Sequence, residues 1–436
     1  MFASGDFGFN LYWQSAMLYL LFYYTEVAHL AVTTAALIYL VASIWDGAIS
    51  LIIGMIVDRW GHTATLRRTL IASAVPLGAS FVMAYFAWPV RGYGYGALFL
   101  AAHILFRTAY AWSNIPYLVL SARLSSDARD QTLLSGLRIL AGTAAAMLVA
   151  HATVPLGLWL TNQRLAGSYM SVAFVYALLA TALIIIVGLT FAPEDSPKAP
   201  SAPEQNTVSA LRAAFANRAF IVLSAAMMTM TIATTMINKS VLYYFKYEFS
   251  DQAAGQNTLA GMMAVGAVGT WVWIWVGRRI GIRLMWGVAS FMCAALIGAI
   301  SLLGLHSLLA TRLVLLALQT MATGLYLGLW AMLPETIEYG VLTTGVRVEA
   351  ILYGLNALFQ RIAIGLATTI LGFSLHHIGF SSGAHLSIGT LTGLRQVFSL
   401  IPMLFFLASG GVMMASPLRK ITRQRLKQVV FEPHQG

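Results

Sequence analysis

Charge is what this sequence has least of. Only 9% of its 436 residues are Asp, Glu, Lys or Arg, against roughly 25% in an average soluble domain. So little charge could not clothe a water-soluble fold of this length, and a content of 59% hydrophobic residues with a mean hydropathy of +0.77 points to lipid as the solvent. Acids are scarcer than bases, 15 against 26, giving a net charge of +11. The bases fall in short clusters between apolar stretches, which argues against a nucleic-acid partner and for membrane topology. Cysteine is almost missing: Cys293 stands alone, so no intrachain disulfide can form. Catalytic patterns are missing too. There is no HExxH run, and His376 and His377, adjacent at a helix end, make poor joint metal ligands, which argues against a membrane enzyme. The opening "MFASGDFGFNLYWQSAMLYLL" lacks a basic leader and is read as a first span rather than a signal peptide.

What is present is a series of apolar runs, each near the roughly 20 residues that cross a hydrocarbon core. They predict about twelve spans, near 8–28, 33–57, 69–89, 95–121, 132–156, 169–192, 219–247, 256–277, 284–304, 310–334, 349–377 and 391–415. One long polar stretch, "APEDSPKAPSAPEQNTVSALRAAFANR", separates the sixth from the seventh. The expected organisation is therefore a six-helix bundle over 1–192, a cytoplasmic linker over 193–217 with an amphipathic stub near 207–216, a second six-helix bundle over 218–416, and a cytoplasmic tail over 417–436. With both termini cytoplasmic, inner loops collect Arg59, Arg67, Arg68, Arg123, Arg129, Arg278, Arg279, Arg283, Arg347 and the basic tail, while outer loops hold only Arg91, Arg164, Lys246 and Arg312. That asymmetry satisfies the positive-inside rule. An all-α membrane protein with two six-helix bundles about a central cavity is the architecture of the major facilitator superfamily, here expected in the inner membrane.

Ionisable residues left inside the spans are costly unless paired or wetted, and so point to function. Asp46, in the middle of the second span, is the only acid read as deep in any span. Buried bases are expected at Arg107, Arg138, Lys239 and Arg361, with Arg395 near an outer end. A carboxylate at Asp46 could exchange a proton or ligate a small cation; it could equally lock two helices as a structural ion pair. Arg107, Tyr110 and Asn114 share one face of the fourth span, suited either to a polyhydroxylated solute or to interhelical hydrogen bonding. Asn10, Trp13 and Gln14 share a face of the first span, as a sugar platform or an interfacial anchor. Trp271, Trp273 and Trp275 read as lipid-facing or packing residues. Asp58 and Arg59 in one half, and Glu335, Glu338, Arg347 and Glu349 in the other, form charged clusters that could gate the cytoplasmic side or simply be solvated.

Five stretches, "GDFGFNLYWQSAMLYLLFYYTEV", "LVASIWDGAISLIIGMIVDRWG", "AYAWSNIPYLVL", "VLYYFKYEFSD" and "LPETIEYGVLTTGVRVEAILYGLNALFQR", occur in order along nearly the whole chain. Together they resemble the glycoside–pentoside–hexuronide:cation symporters, the melibiose and glucuronide carrier branch of the major facilitator superfamily. The resemblance implies cation-coupled uptake of a sugar or glycoside by a monomer, without a bound cofactor. It matches Asp46 to an aspartate of the family's cation site, whose second acid is Ser50 here. It puts Asn10 and Asn114 at sugar-binding positions, Tyr110 and Arg138 near the sugar, Tyr326 at a tryptophan position and Arg361 at a lysine position. One carboxylate where the family pattern has two favours a co-transported proton over sodium. Amides for acids, with Arg107 added, tilt the solute toward an anionic sugar such as a hexuronide. The basic loop after the second span is shorter than the family's usual form. A lysolipid carrier of the same lineage and a sugar sensor are the competing readings.

Overall fold

In a computed structural model, residues 2–60, 63–88, 94–122, 128–162, 164, 167–190, 207–305, 307–344, 348–383 and 386–418 are described. Among them the chain is a succession of helices: α1 (Ala3–Glu26), α2 (Val32–Trp60), α3 (Thr63–Ala84), α4 (Tyr95–Ala122), α5 (Ala128–Leu160), α6 (Ser168–Thr190), α7 (Thr207–Ala216), α8 (Arg218–Glu248), α9 (Gln252–Ile280), α10 (Ile282–Leu302), α11 (Leu308–Thr344), α12 (Glu349–His377) and α13 (Ile388–Met414). Helices follow from the solvent, because a backbone crossing lipid must satisfy its own hydrogen bonds. Their starts are written in the sequence. Asn217, Asp251, Ser307 and Ser387 each precede a helix and accept the amide three residues on, at Phe220, Ala254, Ala310 and Thr390, over 2.8–3.1 Å.

Among the described residues eight helices are long and apolar enough to cross a bilayer outright, and α9, bent by 41°, makes nine if it is one span. The expected count of about twelve therefore rests on α1, α3 and α4, which have the length but not the hydropathy. The reason is physical: α1 and α4 carry the polar residues of the site described below, and α3 carries Arg67 and Arg68. The short α7 occupies the stretch expected for the amphipathic stub.

Two compact units divide the chain. The first holds Met1–Ser201, Asn238–Met263 and Thr368–Leu391; the second holds Ala202–Ile237, Ala264–Ala367 and Thr392–Gly436. In the first unit α1 is enclosed by α2, α5 and α6, and Leu11, Tyr12, Tyr19, Leu20 and Tyr24 on different sides of it have no exposed surface. A helix buried all round shows no apolar stripe. Tyrosine hydroxyls pin it: Tyr12 donates to the Ala177 carbonyl (3.2 Å), Tyr19 to that of Ala150 (2.6 Å), Tyr39 to that of Ala16 (2.8 Å) and Tyr85 to that of Ser15 (2.8 Å). Small residues permit the close approach; a Cβ on Gly142 of α5 would stand 2.9 Å from Asn10 Nδ2.

In the second unit Trp286 of α10 is fully buried and donates to Ser409 Oγ (3.0 Å), which donates on to the Ala226 carbonyl (2.8 Å), joining α10, α13 and α8. Asn217 adds a bond to the Thr336 carbonyl of α11 (2.7 Å). Trp273 is buried and bonds the Thr320 carbonyl (2.8 Å), while Trp271 and Trp275 are exposed at 77% and 56%. Trp273 thus packs while Trp271 and Trp275 face outward, a division that the sequence left open between the two roles.

Candidate functional site

The polar face of α4 is the backbone of the site. His103, Arg107, Tyr110 and Asn114 recur at helical spacing and so project to one side. Opposite them α2 presents Tyr39, Ser43, Asp46 and Ser50, also one turn apart. α1 adds Asn10 and Trp13, and the part of α8 that belongs to the first unit adds Lys239.

Asp46 and Arg107 form an ion pair, Oδ2 to Nη1 at 3.2 Å, with each side chain only 1% exposed. Arg107 Nε donates to His103 Nε2 (3.2 Å). That bond assigns the ring proton to His103 Nδ1, which faces the Tyr24 hydroxyl at 3.4 Å. The guanidinium also lies 4.9 Å from the Trp13 ring centre and 5.8 Å from that of Tyr39. Lys239 Nζ stands 3.7 Å from the Tyr39 ring centre and donates to the Met17 carbonyl (3.1 Å). Cation–π contacts of this kind gain strength when desolvated. One basic side chain thus pairs with the carboxylate, and a second, Lys239, lies against the Tyr39 ring that the guanidinium also faces, all of them buried. Arg107 Nη2 is buried and has no hydrogen-bond partner among the described residues, so the site holds a donor in reserve.

Aromatic rings continue from this pair toward the N-terminal end of α1. Trp13 and Tyr110 lie 5.7 Å apart, Tyr110 meets Phe9 edge-on at 5.8 Å, and Phe9 is 5.0 Å from Tyr117. There a second cluster sits. Arg138 of α5 grips Asp6 of α1 with both ends of its fork, Nε to Oδ2 at 2.7 Å and Nη2 to Oδ1 at 3.2 Å, and Nη1 reaches Ser121 Oγ at 3.1 Å. Tyr117 donates to the same carboxylate (2.5 Å), and Asn10 Nδ2 bonds the Asp6 carbonyl (2.9 Å).

At the other end of α1, Glu26 is buried and paired with Lys246 of α8. It also accepts from the Tyr247 hydroxyl (3.0 and 2.9 Å), which itself receives the Gly383 amide (3.0 Å).

The structure therefore brings together Asp46, Arg107, Trp13, Tyr110 and Lys239, and places Arg138 and Asn10 in the Asp6 cluster. Ser50, Gln14 and Asn114 are half-buried on the same helix faces. Tyr326 and Arg361 belong to the second unit, where Tyr326 shares a hydrogen bond with Thr234 (3.2 Å) and Arg361 is half-buried. Of the expected gating residues, Arg347 lies outside the described residues, as do the side chains of Asp58 and Arg59. Glu335 is half-buried, and Glu338 and Glu349 are exposed. Sequence reasoning missed His103, Tyr39, Asp6 and Glu26. His103 was readable, one turn from Arg107 on the face already singled out. Asp6 and Glu26 sit at the ends of α1, where acids pass for loop residues.

The comparisons agree with this architecture. The family described as MFS/sugar transport protein matches residues 1–420. The glucuronide carrier protein homolog of Escherichia coli is 24% identical, over 99% of this chain and 94% of its own length. The isoprimeverose transporter of Lactiplantibacillus pentosus is 23% identical, over 98% and 89%. Among solved structures, the nucleoside transporter NupG superposes with a TM-score of 0.71 at 13% identity, covering 95% of this chain and 98% of its own; that likeness speaks to the fold.

Proposed function

This chain belongs to the MFS/sugar transport protein family, and on that premise we propose that it carries an acidic sugar or glycoside across the inner membrane by alternating access, in symport with a proton. The observation that carries the proposal is the buried Asp46–Arg107 pair beside Trp13 and Lys239. Trp13 and Tyr110 offer ring faces for a pyranose, while Asn10 and Asn114 offer amides for its hydroxyls. The reserve donor on Arg107 and the ammonium of Lys239 suit a carboxylate or sulfonate on the solute. The glucuronide carrier homolog in Escherichia coli, whose named solute is anionic, supports the same class.

Coupling follows from competition for one guanidinium. When the solute's anion engages Arg107, Asp46 loses its partner in surroundings that do not tolerate a bare carboxylate, and a proton takes the partner's place. Sodium fits less well. A hard cation asks for several oxygen ligands, whereas this carboxylate already faces a fixed positive charge at 3.2 Å. In the conformation described here the pair is closed and dry, so the proton must enter after the pair parts. Ser50, one turn from Asp46, is proposed as a hydroxyl on the proton's path.

Proteoliposomes test this directly. Under an imposed pH gradient, uptake of a glucuronide should exceed its equilibrium level, and Asp46→Asn should abolish that accumulation while leaving solute exchange intact. Accumulation driven by a sodium gradient at constant pH, or accumulation by the Asp46→Asn protein, would overturn the proposal.

A further inference from the structure

Behind the ion pair, on the side of α4 away from Arg107, the first unit carries a groove of about 480 Å³ between α3 and α4. Ala72 and Pro76 of α3 leave it open because neither projects far. Leu105, Thr108 and Trp112 of α4 form its other wall. The hydroxyls that line it, on Thr69, Ser73 and Thr108, are spent on carbonyls of their own helices, and its one charge stands at one end. There stands Arg68, exposed, with no hydrogen bond or ion pair among the described residues. Its neighbour Arg67 is already committed, donating to the Gly188 carbonyl at 2.8 Å.

From Arg68 to Pro76 the groove extends about 12 Å along α3. Because α4 runs back the other way, Trp112 stands at the Arg68 end and Leu105 at the Pro76 end. An arginine and a tryptophan at one end of an apolar slot in a membrane helix pair is the chemistry of a lipid headgroup level with an acyl chain below it. The floor of the slot is tied to the ion pair, since Trp45 Nε1 donates to Thr108 Oγ1 at 2.9 Å. Trp45 precedes Asp46 in the chain and Thr108 follows Arg107.

We propose that this groove is a binding site for one anionic phospholipid of the bilayer, its phosphodiester on Arg68 and one acyl chain lying against Pro76 and Leu105. The basic residues of the sequence put the Arg68 end at the cytoplasmic leaflet. A single basic side chain near anionic lipid gives about a fivefold preference. Lipid seated there backs α4 opposite Arg107.

Native mass spectrometry of the full chain, released from vesicles of equal phosphatidylglycerol and phosphatidylcholine, reads the preference. The intact protein should retain phosphatidylglycerol about fivefold over phosphatidylcholine. Arg68→Gln should bring the two to parity, Arg68→Lys should keep the bias, and Ala72→Phe should reduce retention of both. Equal retention by the intact protein overturns the proposal without recourse to any variant. So does an unchanged bias in Arg68→Gln.

Discussion

Removing both members of the Asp46–Arg107 pair should cost far less than the sum of removing each alone. Each side chain is 1% exposed, and truncating one partner of such a pair costs about 3–5 kcal/mol because the other is left charged and unpaired. Asp46→Asn strands Arg107, yet the guanidinium keeps His103 Nε2 at 3.2 Å and the Trp13 ring at 4.9 Å, so its loss should fall near the lower figure, about 3 kcal/mol. Arg107→Gln strands a buried carboxylate by removing the guanidinium it pairs with, and should fall near about 5 kcal/mol. Were the two independent, the double variant would lose about 8 kcal/mol; with no buried charge left, it should lose no more than about 3. A coupling of several kcal/mol lies inside the roughly 1.5–7 kcal/mol measured for close charge pairs elsewhere. Denaturant titration in mild detergent, followed by tryptophan fluorescence, gives all four corners of the cycle. Additive losses, or single variants within about 1 kcal/mol of the native protein, would show that the pair is not a desolvated one.

Charge counting gives a second prediction. An acidic solute arriving with one proton leaves the site's net charge unchanged, so uptake of a glucuronide should respond to the pH gradient and produce no current on a supported membrane, while a neutral glycoside carried with a proton should produce an inward one. Lys239→Gln should weaken binding of a glucuronide by about tenfold, the equivalent of one charge-assisted hydrogen bond, and leave a neutral glycoside nearly unaffected in a competition assay. Glu26→Gln should lower stability by about 1–3 kcal/mol, since it breaks the Lys246 pair and weakens two bonds from Tyr247; a loss below a few tenths would mean that cluster is solvated. Gly157→Val should hinder folding or expression, because its Cβ would meet the main-chain oxygen of Ser168 at 2.8 Å.

Much of the fold was legible because lipid leaves the chain few choices. Apolar runs of the right length must be helices, and capping residues such as Asn217 and Ser387 mark where they begin. The reading weakened where function intrudes. α1 and α4 fall short in hydropathy because they carry Asn10, Trp13, Gln14, His103, Arg107 and Asn114. Spacing alone was enough to put Arg107, Tyr110 and Asn114 on one face. It could not say which acid meets which base, since partners lie on different helices: Arg107 takes Asp46, 61 positions away, and Arg138 takes Asp6, 132 away. His103 was passed over although it lies one turn from Arg107 on the face already singled out; its part in the site shows in the hydrogen bond it accepts from that arginine.

The tyrosines that seat α1 each reach a main-chain oxygen, at Ala177, Ala150, Ala16 and Ser15, and Tyr12 and Tyr85 also meet the hydroxyls of Thr181 and Ser15. A carbonyl is supplied by every amino acid, so the main-chain share of these fastenings is blind to whatever side chain the acceptor position bears. Any residue small enough to leave the helices touching would serve. The central rod can thus stay bolted in register while the surfaces around it are repainted for another solute.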